Sequence, residues 1–380
     1  MLSLHKATEL TKKLFKISLL IIIFLIFFVY TFRLGKYVKD LVFPPQPIPP
    51  SAAFGKLPQI NFPQNVIEKK FTYNINTITG DLPSAPGYPF KTRVYKMLDL
   101  QPSLLNLDRA RTKAKAIGFS GREIALSETD FKWIDSTGPF PRELNMNTIT
   151  FNFKFTSPYK NYLYLFPHGT APDEQKAKDD ALAFLSEMQL FAPDIDFGKA
   201  KTKLLELQEN SLSEATSLSE AQLVSVNFYQ KNIKSGREDS ADIETQRENQ
   251  EGPNTAKDAE DTLPIYYPNP PNSTINFIIG GIGMLEANYS HQTISELFTS
   301  YPLKTASEAY EELVQGKAFI AAFPDNDEYK QKTEIKITNV SLGYYIGIEK
   351  QEYLMPVVVF ENRDGFFAYV SAVQNSWIKE

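Results

Sequence analysis

Residues 14–34 read LFKISLLIIIFLIFFVYTFRL, and no other stretch restricts the chain so severely. Lys16 and Arg33, its charges, lie near the ends, and apolar side chains occupy every face of a helix built from Ile17 to Phe32. At about 1.5 Å rise per residue, about 20 such residues match a hydrocarbon core of about 30 Å. A buried helix of a soluble domain would carry one apolar stripe instead. A cleavable signal peptide has an apolar run of about 7–15 residues and a small-residue cleavage site, which does not follow closely here. The run is therefore read as a single-pass anchor. Lys6, Lys12 and Lys13 with Lys16 precede its apolar core, while Arg33, Lys36 and Lys39 follow it, a small bias towards a cytoplasmic N-terminus. The expectation is a cell-membrane protein held in lipid by this helix, with a cytoplasmic tail over 1–13 and its folded mass extracytoplasmic.

A chain of 380 residues with 42% hydrophobic side chains can bury more than one core. A net charge of −5 gives no general attraction to phosphate backbones, so nucleic acid is not expected as a partner. The absence of cysteine removes disulfides, thiolate nucleophiles and sulfur-ligated zinc together.

Composition breaks divide the rest. Residues 35–65 hold the proline-rich FPPQPIPP, which favours an extended, semi-rigid stalk. Residues 235–262 are acidic, amide-rich and small, with Ile243 the one large apolar side chain; such a segment cannot offset its ordering entropy and reads as a disordered insertion. Pro264 to Pro271, PIYYPNPP, reads as an extended connector. The folded parts are then 66–158, 159–234 and 263–380.

Each part reads as a helix beside strands. In the first, Lys91 to Met97 is a strand, Asn106 to Phe119 a helix with Asn106 as N-cap, and Thr129 to Asp135 and Asn147 to Thr156 are strands flanking a Gly138-Pro139 turn. In the second, Asn161 to Phe166 is a strand and Pro172 to Phe191 a helix with Ala177, Ala181, Leu185 and Met188 on one face; KLLELQ and LVSVNFYQ follow as strands. In the third, Thr274 to Gly280 is a strand, Thr305 to Gln315 a helix with a Thr305/Glu308 capping box, and four strand candidates follow. The expected fold class is α+β: an N-terminal transmembrane helix followed by two or three small units, each a helix packed on an antiparallel sheet.

Chemical motifs are few. His168 and His291 are the histidines beyond the anchor, so a three-histidine metal site is impossible, and neither H-E-x-x-H nor G-x-S-x-G occurs. GFSG places Ser120 in a turn after a helix, and PHGTAPDE places His168 in a loop before a helix N-terminus. IGGIGM, Ile279 to Met284, lacks the spacing and lysine of a phosphate loop and reads as a hairpin turn. PDNDEY, Pro324 to Tyr329, alternates aspartates without the later glycine and glutamate of a calcium loop. Asp194 and Asp196 of PDID are the nearest thing to a carboxylate pair for acid and base work. No catalytic, cofactor or metal residues are assigned, and no enzyme is expected.

The segment YPLKTASEAYEELVQGKAF, Tyr301 to Phe319, followed by VSLGYYIGIEKQEYLMPVVVFE, Val340 to Glu361, resembles the extracytoplasmic modules of YycH/YycI-type regulators and related PepSY-like domains. The resemblance covers roughly the last eighty residues and rests on packing residues. It implies a non-enzymatic module contacting another envelope protein, in that family a sensor histidine kinase or its accessory, and supplies no catalytic residues to carry over. The acidic insertion departs from the family. The functional expectation is a membrane-anchored binding or regulatory module acting through protein contacts in the cell envelope. An envelope hydrolase using paired carboxylates and a purely structural spacer are the alternatives.

Within that C-terminal hairpin, Leu354, Pro356, Val358 and Phe360 share one strand face and Met355, Val357 and Val359 the other, so both are expected to be covered. Pro356 cannot donate to a ladder and suggests an edge or bulge. Tyr344, Tyr345, Tyr353 and Pro356 are the candidate binding surface.

Overall fold

Period-two alternation dominates the chain beyond residue 50, and its computed structural model is built mainly of strands. The structure describes residues 50–64, 71–84, 88–208, 211–236, 262–324 and 333–379, together with Phe24, Phe28, Thr31 and Arg33, which are helical. The cytoplasmic tail, the other residues of the expected anchor, most of the acidic insertion and the PDNDEY loop after Pro324 lie outside the described residues. Among the described residues no helix is long and apolar enough to cross a membrane. Residues 50–237 and 254–380 belong to one folded unit.

The expected plan of two or three small units, each a helix on its own antiparallel meander, is overturned. Strands dominate, and they assemble into a nine-stranded and a seven-stranded sheet from segments far apart in sequence. The strand Phe153–Thr156 pairs with Arg142–Asn147 on one side and with Gly283–Tyr289 on the other. The reason is continuity of the apolar face. Phe153 and Phe155 would be left at an exposed edge by a local meander, whereas the hairpin Ile275–Gly280 to Gly283–Tyr289 extends their face through Ile275, Phe277, Ala287 and Tyr289. That hairpin turns tightly with Gly280 opposite Gly283, as the reading of IGGIGM required, and Gly283 takes φ 111°. Leu223–Gln230 then pairs with Ile275–Gly280, and Ile195–Gln208 with Leu223–Gln230.

Two helices cover one face of this sheet. Helix α1, Asn106–Ala116, buries Ala110 and Ala114, and α2, Glu174–Glu187, buries Ala177, Ala181 and Leu185. Both join Trp133, Leu144, Phe155, Val226 and Phe277 in one core. Asn106 is not the N-cap of α1: Leu105 holds that position without a side-chain bond, and Asn106 is buried one residue inside. Asp173 caps α2 through Gln175 N at 2.9 Å and Lys176 N at 3.3 Å, so the helix start near His168 already has its acceptor.

Two strand expectations fail for local reasons. Asn147 to Thr156 is not one strand, because the Asn147 Oδ1 accepts from Ile149 N and Thr150 N and folds the chain into a turn with Phe151 at φ 57°. Asn161 to Phe166 forms two 3₁₀ turns, Tyr159–Asn161 and Leu163–Leu165, in a segment whose neighbours Tyr159 and Phe166 are buried beside Leu223 and Leu285.

The seven-stranded sheet centres on Tyr353–Glu361, which pairs along its length with Asn339–Tyr345. Its other side meets two partners: Tyr353 and Leu354 pair with Lys91–Met97, and Val357 to Glu361 with Phe367–Ser371. Helix α3, Ala306–Val314, opens with the capping box read from the sequence and lays Ala306, Ala309 and Leu313 against Val358 and Phe360. Val357 and Val359 are buried on the opposite face, so the strand is covered twice. The connector after Pro264 is not merely extended: Ile265–Tyr266 pairs in parallel with Tyr344 and Tyr345.

Candidate functional site

The helix-free face of the nine-stranded sheet is polar by alternation. Leu144, Met146, Phe153, Phe155, Phe277 and Ala287 point into the helical core, so their neighbours point the other way. Register aligns those neighbours into a row: Asn145 opposite Lys154, Lys154 opposite Asn288, Asn288 opposite Asn276, and Asn276 opposite Asn227. At about 4.8 Å between strands, these five residues span about 19 Å across the strand direction.

The row forms part of the floor of a cleft of about 1040 Å³. On the far wall stand segments that accompany the other sheet, including Leu98, Leu100, Tyr267, Ile348 and Gln351. Leu98 and Ile348 are 48% and 67% exposed, an apolar lip beside a polar floor.

The amides are oriented by one another. Asn288 Nδ2 donates to Asn276 Oδ1 at 3.0 Å, Asn276 Nδ2 donates to Ser273 O at 2.8 Å, and Ser273 N donates to Asn227 Oδ1 at 3.0 Å. Asn227 is buried, and beyond it the register continues to Lys201, which does not line the cleft. At the other end Asn145 Oδ1 is buried without a hydrogen-bond partner among the described residues. Lys154 is exposed and makes no ion pair among the described residues, whereas Lys203 meets Glu214 at 2.8 Å and Lys350 meets Asp99 at 2.6 Å. Asp130, also at the cleft, accepts from Asn147, Ser127 and Thr129. Burial pushes its carboxyl up, but those bonds outweigh it and hold it below the usual range.

At one end of the cleft sits a histidine–carboxylate contact. His291 Nε2 lies 2.9 and 3.0 Å from the Asp194 oxygens, Gln230 Nε2 donates to Asp194 at 2.9 Å, and His291 N donates to Asn152. Burial raises the Asp194 carboxyl, while the contact with His291 and the Gln230 bond lower it further than burial raises it. Burial pushes the nearby Tyr267 and Tyr289 hydroxyls above their ordinary value; the Asp194 charge adds to this at Tyr289, and Tyr229 and then Asp194 add to it at Tyr267. Asp196 contacts Lys199 instead, so the two carboxylates of PDID serve separate partners.

Of the residues singled out in the C-terminal hairpin, Tyr344, Tyr345 and Pro356 are buried, and Tyr353 is half-buried against Phe54. Tyr344 donates to Arg93 O at 2.8 Å, a bond across the seven-stranded sheet. Pro356 lies neither at an edge nor at a bulge: it occupies the gap where its strand changes partner from Lys91–Met97 to Phe367–Ser371, where a missing N–H costs least. His168 is exposed with Nδ1 at 3.2 Å from Glu220 O, and Ser120 is exposed after α1. The asparagine row was missed, although its signal is present: RELNMN alternates Leu144 and Met146 with Asn145 and Asn147, as INFIIG alternates Phe277 with Asn276.

No family model and no curated protein matches this chain. Among solved structures it is similar to an uncharacterised protein from Eubacterium rectale, at 13% identity and a TM-score of 0.35, over 82% of this chain and 92% of that one. It is also similar to the Bacillus megaterium YpeB C-terminal domain, at 9% identity and a TM-score of 0.31, over 73% of this chain and 95% of that domain. The YpeB domain is PepSY-related, the coarser part of the resemblance read from the C-terminal segment; the YycI-type part has no support from it. At these scores neither likeness carries an argument.

Proposed function

We propose that this chain is a membrane-tethered, extracytoplasmic binding module that holds a polar ligand against the open face of its nine-stranded sheet. The row of Asn145, Lys154, Asn288, Asn276 and Asn227 carries this reading. Five polar side chains brought into register from separate strands, with Asn288 held on Asn276 and both Asn276 and Asn227 held on the Ser273 backbone, form a preorganised surface that binds without chemistry. Binding rather than hydrolysis is supported by the carboxylates. Asp130 and Asp194 are both held in the charged form, and a general acid at neutral pH needs a raised value instead. The tether rests on the apolar segment 14–34. Signalling through another envelope membrane protein, a sensor kinase being one such partner, belongs to the same proposal. Crosslinking of the full chain in its own membrane should capture a membrane protein, and capture of none contradicts that part.

The test of the cleft is a thermal-shift screen of saccharides, peptides and nucleotides against the full chain in detergent, with Asn276→Leu/Asn288→Leu as comparison. A ligand that raises the melting temperature of the parent and not of the variant is expected. Absence of any such compound, with the variant folded, contradicts the reading.

A further inference from the structure

We infer that the ligand of this cleft is an acidic oligosaccharide laid across the strands, with a carboxylate on Lys154. The inference rests on the cleft being a binding site and concerns what binds there.

Four observations select this class. A carboxamide offers two donors and an acceptor on one small group, which matches a sugar hydroxyl that both donates and accepts. Asn276 and Asn288 present such groups on adjacent strands about 4.8 Å apart, and Asn145 does so two strands beyond Asn288, a span that suits an oligomer better than a single ring.

The second observation is the direction of the row. It runs on a sheet face, where backbone N–H and C=O groups are spent in the ladders on either side. An extended peptide is captured by adding to a sheet edge and using those groups. A face that offers only side chains recognises a ligand through its substituents.

The third is charge. Lys154 is the cation on the floor without a carboxylate among the described residues, set between Asn145 and Asn288. Its neighbours at the cleft, Lys203 and Lys350, are paired with Glu214 and Asp99. Within the cleft this is one unspent positive charge among neutral amides, which fits a sparse carboxylate; Lys201, opposite Asn227 in register, lies outside the cleft over the Tyr229 ring. A polyphosphate chain needs several cations, and Asp130 and Glu214 would repel it. The fourth is the lip of Leu98, Leu100 and Ile348, apolar surface suited to the C–H faces of sugar rings.

The experiment uses the full chain in detergent micelles and a glycan panel bearing uronate, sialic acid or lactyl-ether sugars. Each acid is paired with its methyl ester, which keeps every hydroxyl and removes the charge. At least one acidic oligomer should bind, its ester at least tenfold more weakly, and Lys154→Met should erase that difference while circular dichroism stays unchanged. Equal binding of acid and ester, an unchanged preference in Lys154→Met, or no binding by any acidic glycan overturns the inference. A peptide or nucleotide from the thermal-shift screen that binds the parent and not Asn276→Leu/Asn288→Leu would overturn it too, while leaving the cleft as a binding site.

Discussion

At the scale of single residues, the contact most open to test is Asp194 with His291. The Asp194 carboxyl is lower in the folded protein than the ordinary value of about 3.9, so near pH 4 the unfolded chain binds more protons at this group. Its contribution is therefore complete above about pH 5 and is lost as pH falls through the ordinary value towards the folded one. Asp194→Asn should cost about 2 kcal/mol at pH 7, the scale of a hydrogen bond to a charged group. Urea denaturation at pH 7 and pH 4 should show a smaller loss with acid in the variant than in the parent; identical losses would remove Asp194 from the account. His291 was visible in the sequence as one of two histidines beyond the anchor. Asp194 was visible too, as half of the PDID carboxylate pair, but their contact was not, since 97 residues separate the two and only the fold joins them.

At the scale of elements, the helices were more legible than the sheets. The capping box of Thr305 and Glu308 and the small-residue face of α2 are local signals, complete within a few turns. Strand alternation is equally local but leaves the choice of partner open. Lys91–Met97 could be read as a strand, yet nothing in it points to Ile294–Pro302 or to Tyr353–Glu361. Polar strands were hidden altogether: Arg142–Asn147 has two apolar residues in six, enough to face a core but too few to stand out. Gly343 shows the converse, a motif legible as LGYY whose reason lies elsewhere in the chain. A Cβ at this position would overlap the Tyr266 ring and press on Pro264 O, both in the connector that pairs with the next two residues. Gly343→Ala should therefore destabilise the protein by about 2 kcal/mol, the usual scale of overpacking. Thermal unfolding measures it, and an unchanged melting temperature would mean the connector yields freely.

At the scale of the whole molecule, two sheets of different character share one chain. The seven-stranded sheet buries both faces of its central strand and supplies rigidity. The nine-stranded sheet buries one face under α1 and α2 and leaves the other to line the cleft. The candidate surface read from aromatic density lies on the first sheet, where Tyr344, Tyr345 and Pro356 are buried and Tyr353 is half-buried. The proposed ligand surface is made of four asparagines and Lys154, one on each of five strands, and register alone gathers them. Lysine footprinting of the full chain tests most directly whether ligand lies on this row. With an amine-reactive reagent and mass spectrometry, the best compound of the thermal-shift screen should slow modification of Lys154 at least fivefold, by analogy with burial of an exposed amine. Lys199, 84% exposed and lining neither the row nor the cleft, should react at an unchanged rate. Unchanged reactivity of Lys154 under saturating ligand would place the binding site elsewhere and contradict the account.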